Sequence, residues 1–192
     1  MSTEPVSVEP RSTDTLRAKD LIVLGVFGLI FFIATMIAVG IASLSVVDHL
    51  LGPALSAIPS GIVWTHMRVR VPKAWAMLIP GVLCGIIMFL IGTGWPIMVA
   101  FIIGSVLAEM CSRVGEFKSF RWSTIGFALV AACFTLGEFL PMLVMPDYYL
   151  ELMSASSRGV EYGRSIMDTM NPGILLGLLV AAFACGIVGC LL

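Results

Sequence analysis

Glu138 lies inside a long apolar stretch of this sequence, where a charged side chain needs a physical reason. It stands about seven residues from the end of that stretch, which is about 10 Å deep at 1.5 Å per residue. A carboxylate at that depth in a membrane helix is costly unless it faces a cavity or a partner group. We therefore predict that Glu138 belongs to a binding site. A structural hydrogen bond to a neighbouring helix is the alternative.

A second carboxylate, Glu109, also lies in an apolar stretch. It precedes Arg113 by four positions, the spacing of an ion pair on one face of a helix. We expect that ion pair and assign Glu109 no chemistry.

Further side chains near the same predicted membrane face as Glu138 could contact a ligand: His49, Trp95, Met142, Tyr148 and Tyr149. Trp95 stands in a tight turn whose backbone is restricted by Gly94 and Pro96. Trp and Tyr are also typical of the interfacial belt of membrane proteins, so that role stays open for Tyr148 and Tyr149.

No catalytic or metal-binding motif occurs in the sequence. It contains no HExxH, GxSxG, phosphate-loop or paired-histidine pattern. Its five cysteines lack metal-ligand spacing and are typical of small buried thiols: Cys84, Cys111, Cys133, Cys185 and Cys190. We expect neither enzyme activity nor a resident cofactor or metal.

The composition requires a lipid environment. Of 192 residues, 59% are hydrophobic and only 12% are charged, and the mean hydropathy is +1.04. A soluble domain of this length needs a more polar surface. The net charge of −1 says nothing about nucleic-acid or acidic partners, and we expect no nucleic-acid partner.

Six apolar runs are candidates for membrane-crossing helices, so we predict an all-α, polytopic, compact six-helix bundle. The runs cover residues 21–47, 50–67, 74–92, 96–110, 122–145 and 172–192. We divide the chain into a cytoplasmic tail, residues 1–18, and a transmembrane domain, residues 19–192.

Lys and Arg are distributed unevenly about these spans. With the N-terminus inside, nine of the 11 cations are cytoplasmic, and only Arg158 and Arg164 are external. The positive-inside rule therefore predicts cytoplasmic N- and C-termini in a bacterial inner membrane. It also places Asp48 and His49 in the first external loop.

The external segment from Pro146 to Asn171 carries amphipathic patterning. Asp147 can cap a short helix, and a second stretch has Val160, Ile166, Met167 and Met170 on one side. Such a segment is either a lid over an external cavity or an inert interfacial connector.

Small residues recur at four-residue spacing on three of the predicted spans, which allows helices to approach closely. They are Ala34, Ala38 and Ala42 on the first, Gly81 and Gly85 on the third, and Gly173, Gly177, Ala181, Cys185 and Gly189 on the sixth. Each stripe packs inside the bundle or meets another protein.

Several segments together resemble the MptD (Trep_Strep) family, whose members are considered substrate-binding S components of energy-coupling-factor (ECF) ABC transporters. The segments are Ala18-Lys-Asp-Leu-Ile22, Gly92-Thr-Gly-Trp-Pro96, Gly137-Glu-Phe-Leu-Pro-Met142 and the Tyr148-to-Tyr162 loop before Pro172-Gly173. The resemblance covers essentially the whole chain.

The resemblance implies a capture subunit without ATPase activity. S components bind a micronutrient-type small molecule near the outer face, and a transmembrane T component and two cytoplasmic ABC ATPases drive its uptake. An Ala-x-x-x-Ala pattern on the first helix contacts the T component in that superfamily, and Ala34, Ala38 and Ala42 fit it. The substrate is open; a planar aromatic molecule such as a pterin or haem is one interpretation, with His49, Tyr148, Tyr149 or Met142 as iron ligands for haem.

Two other classes remain as alternatives. A membrane assembly or scaffold subunit would need only the small-residue stripes, and Glu138 would then be incidental. An integral membrane enzyme would need clustered polar residues at one interface, which this sequence lacks. Replacing Glu138 by Gln distinguishes a scaffold, which tolerates the change, from a binding protein, which loses its ligand.

Overall fold

The structure, a computed structural model, describes residues 16–156 and 158–192, and within them every regular element is a helix. Eight helices follow in chain order: α1 (Ala18–Ala42), α2 (Val46–Arg70), α3 (Leu78–Leu90), α4 (Trp95–Val114), α5 (Phe120–Val144), α6 (Pro146–Ser154), α7 (Gly159–Thr169) and α8 (Pro172–Leu191). The predicted all-α class is confirmed for these residues.

Four helices, α1, α4, α5 and α8, are long and apolar enough to cross a membrane. The other two predicted spans are also helical. Helix α3 is apolar but has 13 residues, and α2 has 25 residues but includes Pro53 and Pro59. Their membrane crossing stays a prediction.

The boundary between the first two helices differs from the sequence prediction. The first run was expected to continue to residue 47, but α1 ends at Ala42 and α2 begins at Val46. Ser45 caps α2, because its side chain accepts a hydrogen bond from the Asp48 N–H. The predicted loop position of Asp48 and His49 is therefore wrong, because both residues lie in the first turn of α2; their external location stays a prediction. Hydropathy alone does not detect such a cap.

Helix α2 occupies the middle of the bundle and contacts α1, α5 and α8. Trp64 of α2 packs against Phe127 of α5 with ring centroids 5.3 Å apart. Polar side chains also join the helices: Thr35 Oγ1 of α1 and Ser60 Oγ of α2 are both buried and lie 2.8 Å apart. These buried contacts explain how α2 remains inside the bundle despite its polar residues.

The segment between α5 and α8 folds as α6 and α7. Ile166 is fully buried and Met170 is 6% exposed, within a cluster that includes Phe139 of α5 and Leu175 of α8. The amphipathic prediction is thus confirmed at these two positions. The Asp147 cap is wrong, because α6 begins at Pro146 and Asp147 lies inside its first turn without a capping role.

Candidate functional site

A cavity of about 300 Å³ lies at one end of the bundle, where α1 ends and α2 begins. Five of the six predicted substrate-binding residues line it: His49, Glu138, Met142, Tyr148 and Tyr149. Its walls are mostly apolar and include Met36, Val39, Pro96, Ile97, Pro141, Leu152 and Met153. A mostly apolar cavity with few polar groups is the common form of a small-molecule site.

The polar end of the cavity is a pair formed by Glu138 and His49. Glu138 Oε1 lies 3.5 Å from His49 Nε2, and both side chains are nearly buried, with exposed fractions of 12% and 9%. On the other side of the ring, His49 Nδ1 lies 3.0 Å from Ser43 Oγ. The pair joins residues that are 89 positions apart in the sequence.

The hydrogen bonds around Ser43 determine how many protons the pair holds. The Ser43 hydroxyl donates its one hydrogen to the Val39 carbonyl oxygen at 2.6 Å, so Oγ accepts from the His49 Nδ1–H. A neutral ring would then direct the lone pair of Nε2 toward Glu138. A hydrogen bond between His49 Nε2 and Glu138 Oε1 requires one further proton, held either on Nε2 or on the carboxyl group. With that proton, His49 and Glu138 together carry no net charge.

The second oxygen of Glu138 lacks a hydrogen-bond partner. Glu138 Oε2 is buried, and it has no hydrogen-bond partner among residues 16–156 and 158–192. Leaving a buried polar atom unsatisfied costs about 1–3 kcal/mol, and more for a charged group. Because Glu138 lines the cavity, a donor group on a bound molecule would satisfy this oxygen.

Aromatic rings hold His49 in place from two sides. The Phe139 ring centroid lies 6.1 Å away and the Tyr162 centroid 5.9 Å away, both in edge-to-face arrangements. The Tyr162 hydroxyl also donates to the Ser43 carbonyl oxygen at 3.3 Å, which ties α7 to the end of α1. Sequence reasoning missed Tyr162 because it had no means of placing α7 over His49.

Arg158 places a cation in the cavity wall and was not predicted as a site residue. Its guanidinium carbon lies 5.6 Å from the centre of the Tyr162 ring. The available signal was that Arg158 is one of two cations assigned to the external face. The cavity therefore has a carboxylate and an arginine among largely apolar walls.

The two predicted tyrosines have different surroundings. Tyr149 is 5% exposed, and burial raises the pKa of its phenol well above the usual range, so it is a protonated group at physiological pH. The Tyr148 hydroxyl accepts a hydrogen bond from the Trp95 backbone N–H at 3.3 Å. This contact fastens α6 to the turn before α4.

Trp95 itself is placed outside the cavity lining. Its side chain is 43% exposed, and its ring centroid lies 6.2 Å from that of Tyr148. Gly94, at φ +95°, sets the direction of this turn, and a side chain there would contact the Tyr148 hydroxyl. Trp95 thus packs against Tyr148 from outside the cavity lining. Its predicted contact with substrate stays a prediction.

The small-residue stripes divide between inner and outer faces. On α1, Ala34 and Ala38 are half-buried, whereas Ala42 is buried against Gly52 of α2. On α8, Gly189 contacts the backbone of α2, but Gly177 has open space beside it. Internal packing therefore explains Ala42 and Gly189, whereas Ala34 and Ala38 on α1 and Gly173 and Gly177 on α8 are among the positions accessible to a partner.

The expected Glu109 ion pair is present at the other end of the bundle. Glu109 Oε1 lies 3.5 Å from Arg113 Nε and also accepts a hydrogen bond from the Trp75 N–H at 2.8 Å. Within residues 16–156 and 158–192, no group of three or more His, Cys, Asp or Glu side chains is arranged to hold a metal ion.

Comparisons with known proteins agree with the sequence resemblance. The chain is similar in fold to a solved structure described as "Crystal structure of an S-component of ECF transporter", with a TM-score of 0.54 and 19% sequence identity over 92% of this chain and 82% of that one. No curated protein matches the sequence. A family described as "Hypothetical bacterial integral membrane protein (Trep_Strep)" matches residues 18–192. The chain therefore belongs to the Trep_Strep family of bacterial integral membrane proteins.

Proposed function

We propose that this protein is the substrate-capture subunit, or S component, of an energy-coupling-factor importer. Its fold is similar to that of an S component over most of both chains. It also has a cavity of small-molecule size at one end of the bundle, as a capture subunit requires. No ATPase or other catalytic role is assigned to the chain itself.

The observation that carries the proposal is the free oxygen of Glu138. A buried carboxylate oxygen without a partner is unfavourable for an isolated membrane scaffold, because the atom lost its hydration and gained nothing in return. It is favourable for a binding protein, since a ligand that donates a hydrogen bond restores the lost interaction. The apolar walls would then cover the rest of the molecule.

The same geometry defines a class of ligand. At Glu138 we expect a hydrogen-bond donor edge, such as an ammonium, amidine or amino-heterocycle nitrogen, because Oε2 remains an acceptor whether the shared proton lies on His49 Nε2 or on Oε1. Arg158 would receive an anionic or carbonyl group elsewhere on the molecule. A flat apolar body between the two polar ends would pack against Met142 and the neighbouring apolar walls.

The cavity volume favours the smaller of the two planar ligands considered from the sequence. About 300 Å³ is at the lower limit of the usual range for small-molecule sites, roughly 300–1,000 Å³. A single pterin-sized heterocycle matches that limit better than haem does. A pterin also carries an amino-heterocycle donor edge of the kind that Glu138 would accept.

Two further parts of the proposal concern orientation and partners. We place the cavity at the extracellular end of a bacterial cell membrane, with both termini in the cytoplasm, because most Lys and Arg residues lie toward the other end. Helices α6 and α7 would act as the lid of the cavity. The T component would approach α1 near Ala34 and Ala38, and two cytoplasmic ABC ATPases would complete the importer.

The proposal is tested by native mass spectrometry of the protein purified from its own host, released gently from detergent. We expect a bound molecule of defined mass on the wild-type chain. Glu138→Gln should lower its affinity about 10- to 100-fold, because charge-assisted hydrogen bonds contribute about 1.5–3 kcal/mol each.

The matched control is Glu151→Gln, which makes the same chemical change on an exposed position of α6 outside the cavity lining. This variant should retain the ligand. Equal retention by the Glu138 and Glu151 variants would remove Glu138 from the site. A chain that carries no ligand and co-purifies with no T component or ATPase would favour the scaffold alternative.

A further inference from the structure

A second cavity of about 300 Å³ lies at the opposite end of the bundle from Glu138. It is lined by Arg68 near the end of α2, by Phe117 and Lys118 of the α4–α5 loop, and by Ser119 and Phe120 where α5 begins. Phe120 and Glu138 are 18 residues apart on α5, which separates the two cavities by about 27 Å along the helix. The proposed transport function does not use this second cavity.

Arg68 is the group that points to a ligand. The residue is only 7% exposed, and its Nη1 atom is buried with no hydrogen-bond partner in the part of the chain that the structure describes. The guanidinium carbon lies 5.4 Å from the centre of the Phe117 ring, which fixes the orientation of the side chain. A buried arginine with an unsatisfied nitrogen is an unfilled site for an anion.

The start of α5 adds further donors to the same cavity. The first N–H groups of a helix lack intrahelical partners, and the helix dipole places partial positive charge there. Ser119 occupies the cap position but makes no side-chain capping hydrogen bond. Backbone N–H groups at the first turn are thus available to an oxyanion, in the arrangement that binds phosphate at many helix N-termini.

The local charge remains positive when the two nearby carboxylates, Glu109 and Glu116, are counted. Glu109 attracts Arg68 electrostatically, but it forms its ion pair with Arg113 and is not part of the cavity wall. Lys118 lines the cavity and is exposed to solvent. Glu116 lies in the same loop as Lys118 and is also outside the cavity wall. Two carboxylates therefore stand against three cations, Arg68, Arg113 and Lys118, which leaves one net positive charge.

The loop that completes the cavity has an uncommon backbone. Glu116 and Phe117 both adopt positive φ angles, +50° and +57°, although neither is glycine. Left-handed conformations cost about 1–2 kcal/mol per residue with a side chain. This conformation places the Phe117 ring beneath Arg68 and Lys118 at the cavity edge.

We propose that this cavity binds a phosphate oxyanion between Arg68, Lys118 and the N-terminus of α5. Its volume is roughly ten times the ~30 Å³ that one water molecule occupies, so it can hold a phosphate group with the atoms attached to it. The phosphate belongs either to the headgroup of an anionic phospholipid or to a soluble molecule. Both sources present the same chemistry to Arg68.

The test measures thermal unfolding of the full chain in a non-ionic maltoside detergent, followed by tryptophan fluorescence. The probes are dioleoylphosphatidylglycerol, dioleoylglycerol as its phosphate-free counterpart, and sodium phosphate against sodium chloride at equal ionic strength. We expect phosphatidylglycerol or phosphate to raise the melting temperature of the wild type, and dioleoylglycerol and chloride to leave it unchanged. The probe that acts identifies the source.

Three single substitutions test whether the rise in melting temperature comes from binding in this cavity. Arg68→Gln should weaken the apparent affinity about tenfold or more, and Lys118→Gln about two- to fivefold, because Lys118 is more solvated. Arg121→Gln is the matched control: Arg121 is exposed, lies one residue beyond Phe120, and is not part of the cavity wall. It should respond like the wild type.

Two results would overturn the site. One is a melting temperature that neither phosphatidylglycerol nor phosphate raises. The other is an equal response of the Arg68, Lys118 and Arg121 variants, which would show a non-specific charge effect. If Arg68→Gln does not fold, the comparison of Lys118→Gln with Arg121→Gln decides alone.

Discussion

The crossing of α2 and α8 allows a sharp test of helix packing. A Cβ atom added at Gly189 would lie 2.5 Å from the Ile58 carbonyl oxygen and 2.6 Å from that of Ala57. The shortest usual carbon–oxygen contacts are about 3.3 Å, so Gly189→Ala requires the two helices to separate by about 0.8 Å. Both obstacles are backbone atoms, which have no rotamer that would relieve the contact.

The expected loss of stability follows from comparing Gly189→Ala with Gly177→Ala on the same helix. Overpacking costs about 1–3 kcal/mol. Replacing Gly by Ala within a helix also gains about 1 kcal/mol, but that gain applies to both positions and cancels in their difference. At Gly177 an added Cβ would meet no atom of residues 16–156 or 158–192 within 4 Å. We therefore expect Gly189→Ala to be about 1–3 kcal/mol less stable than Gly177→Ala.

The assay is thermal unfolding in detergent, followed by tryptophan fluorescence, with both variants measured beside the wild type. For a chain of this size, 1 kcal/mol corresponds to about 2–4 °C, so the melting temperatures should differ by about 2–12 °C. Gly61→Ala, on the opposite side of the same crossing, should lower stability in the same direction. Equal melting temperatures for the Gly189 and Gly177 variants would refute the close crossing.

Three other predictions concern the proposed transport role. Ala38→Leu should reduce co-purification with the T component while leaving the melting temperature unchanged. Ala38 is half-buried on α1, and a larger side chain would keep a partner helix away. Undiminished co-purification would contradict a T-component contact at Ala38. Tyr162→Phe should speed ligand release about 2- to 10-fold in an off-rate measurement, since it removes the hydrogen bond between α7 and Ser43. An unchanged rate would favour α6 and α7 as an inert connector. A reporter fused after Met1 should score as cytoplasmic, and external accessibility of that fusion would reverse the topology.

Composition and periodicity alone were sufficient for the membrane class and the helical architecture. Transfer to lipid depends on the local density of apolar residues, which can be read from the sequence without any tertiary contact. The same reasoning singled out Glu138 as a candidate site residue, because a carboxylate deep in a membrane-spanning helix is costly whichever helices surround it. The resemblance to the Trep_Strep family also rested on short segments and their order.

The composition of the cavity was decided by the tertiary structure. His49 was assigned to a loop, yet a serine cap draws it into α2 and places it beside Glu138. Arg158 and Tyr162 join the site because α7 contacts α2, where Tyr162 packs against His49, and because the Tyr162 hydroxyl donates to the Ser43 carbonyl oxygen. Hydropathy measures how well a segment partitions into lipid, and it contains no information on which face of a helix meets which neighbour.

The glycines of α8 show the same limit most clearly. Gly177 and Gly189 are identical in type and lie on one stripe at four-residue spacing. The sequence alone determined that a helix could approach this stripe closely. The fold decided that α2 approaches at Gly189 and that no described residue approaches Gly177, because helix crossing angles confine close contact to a short length of each helix.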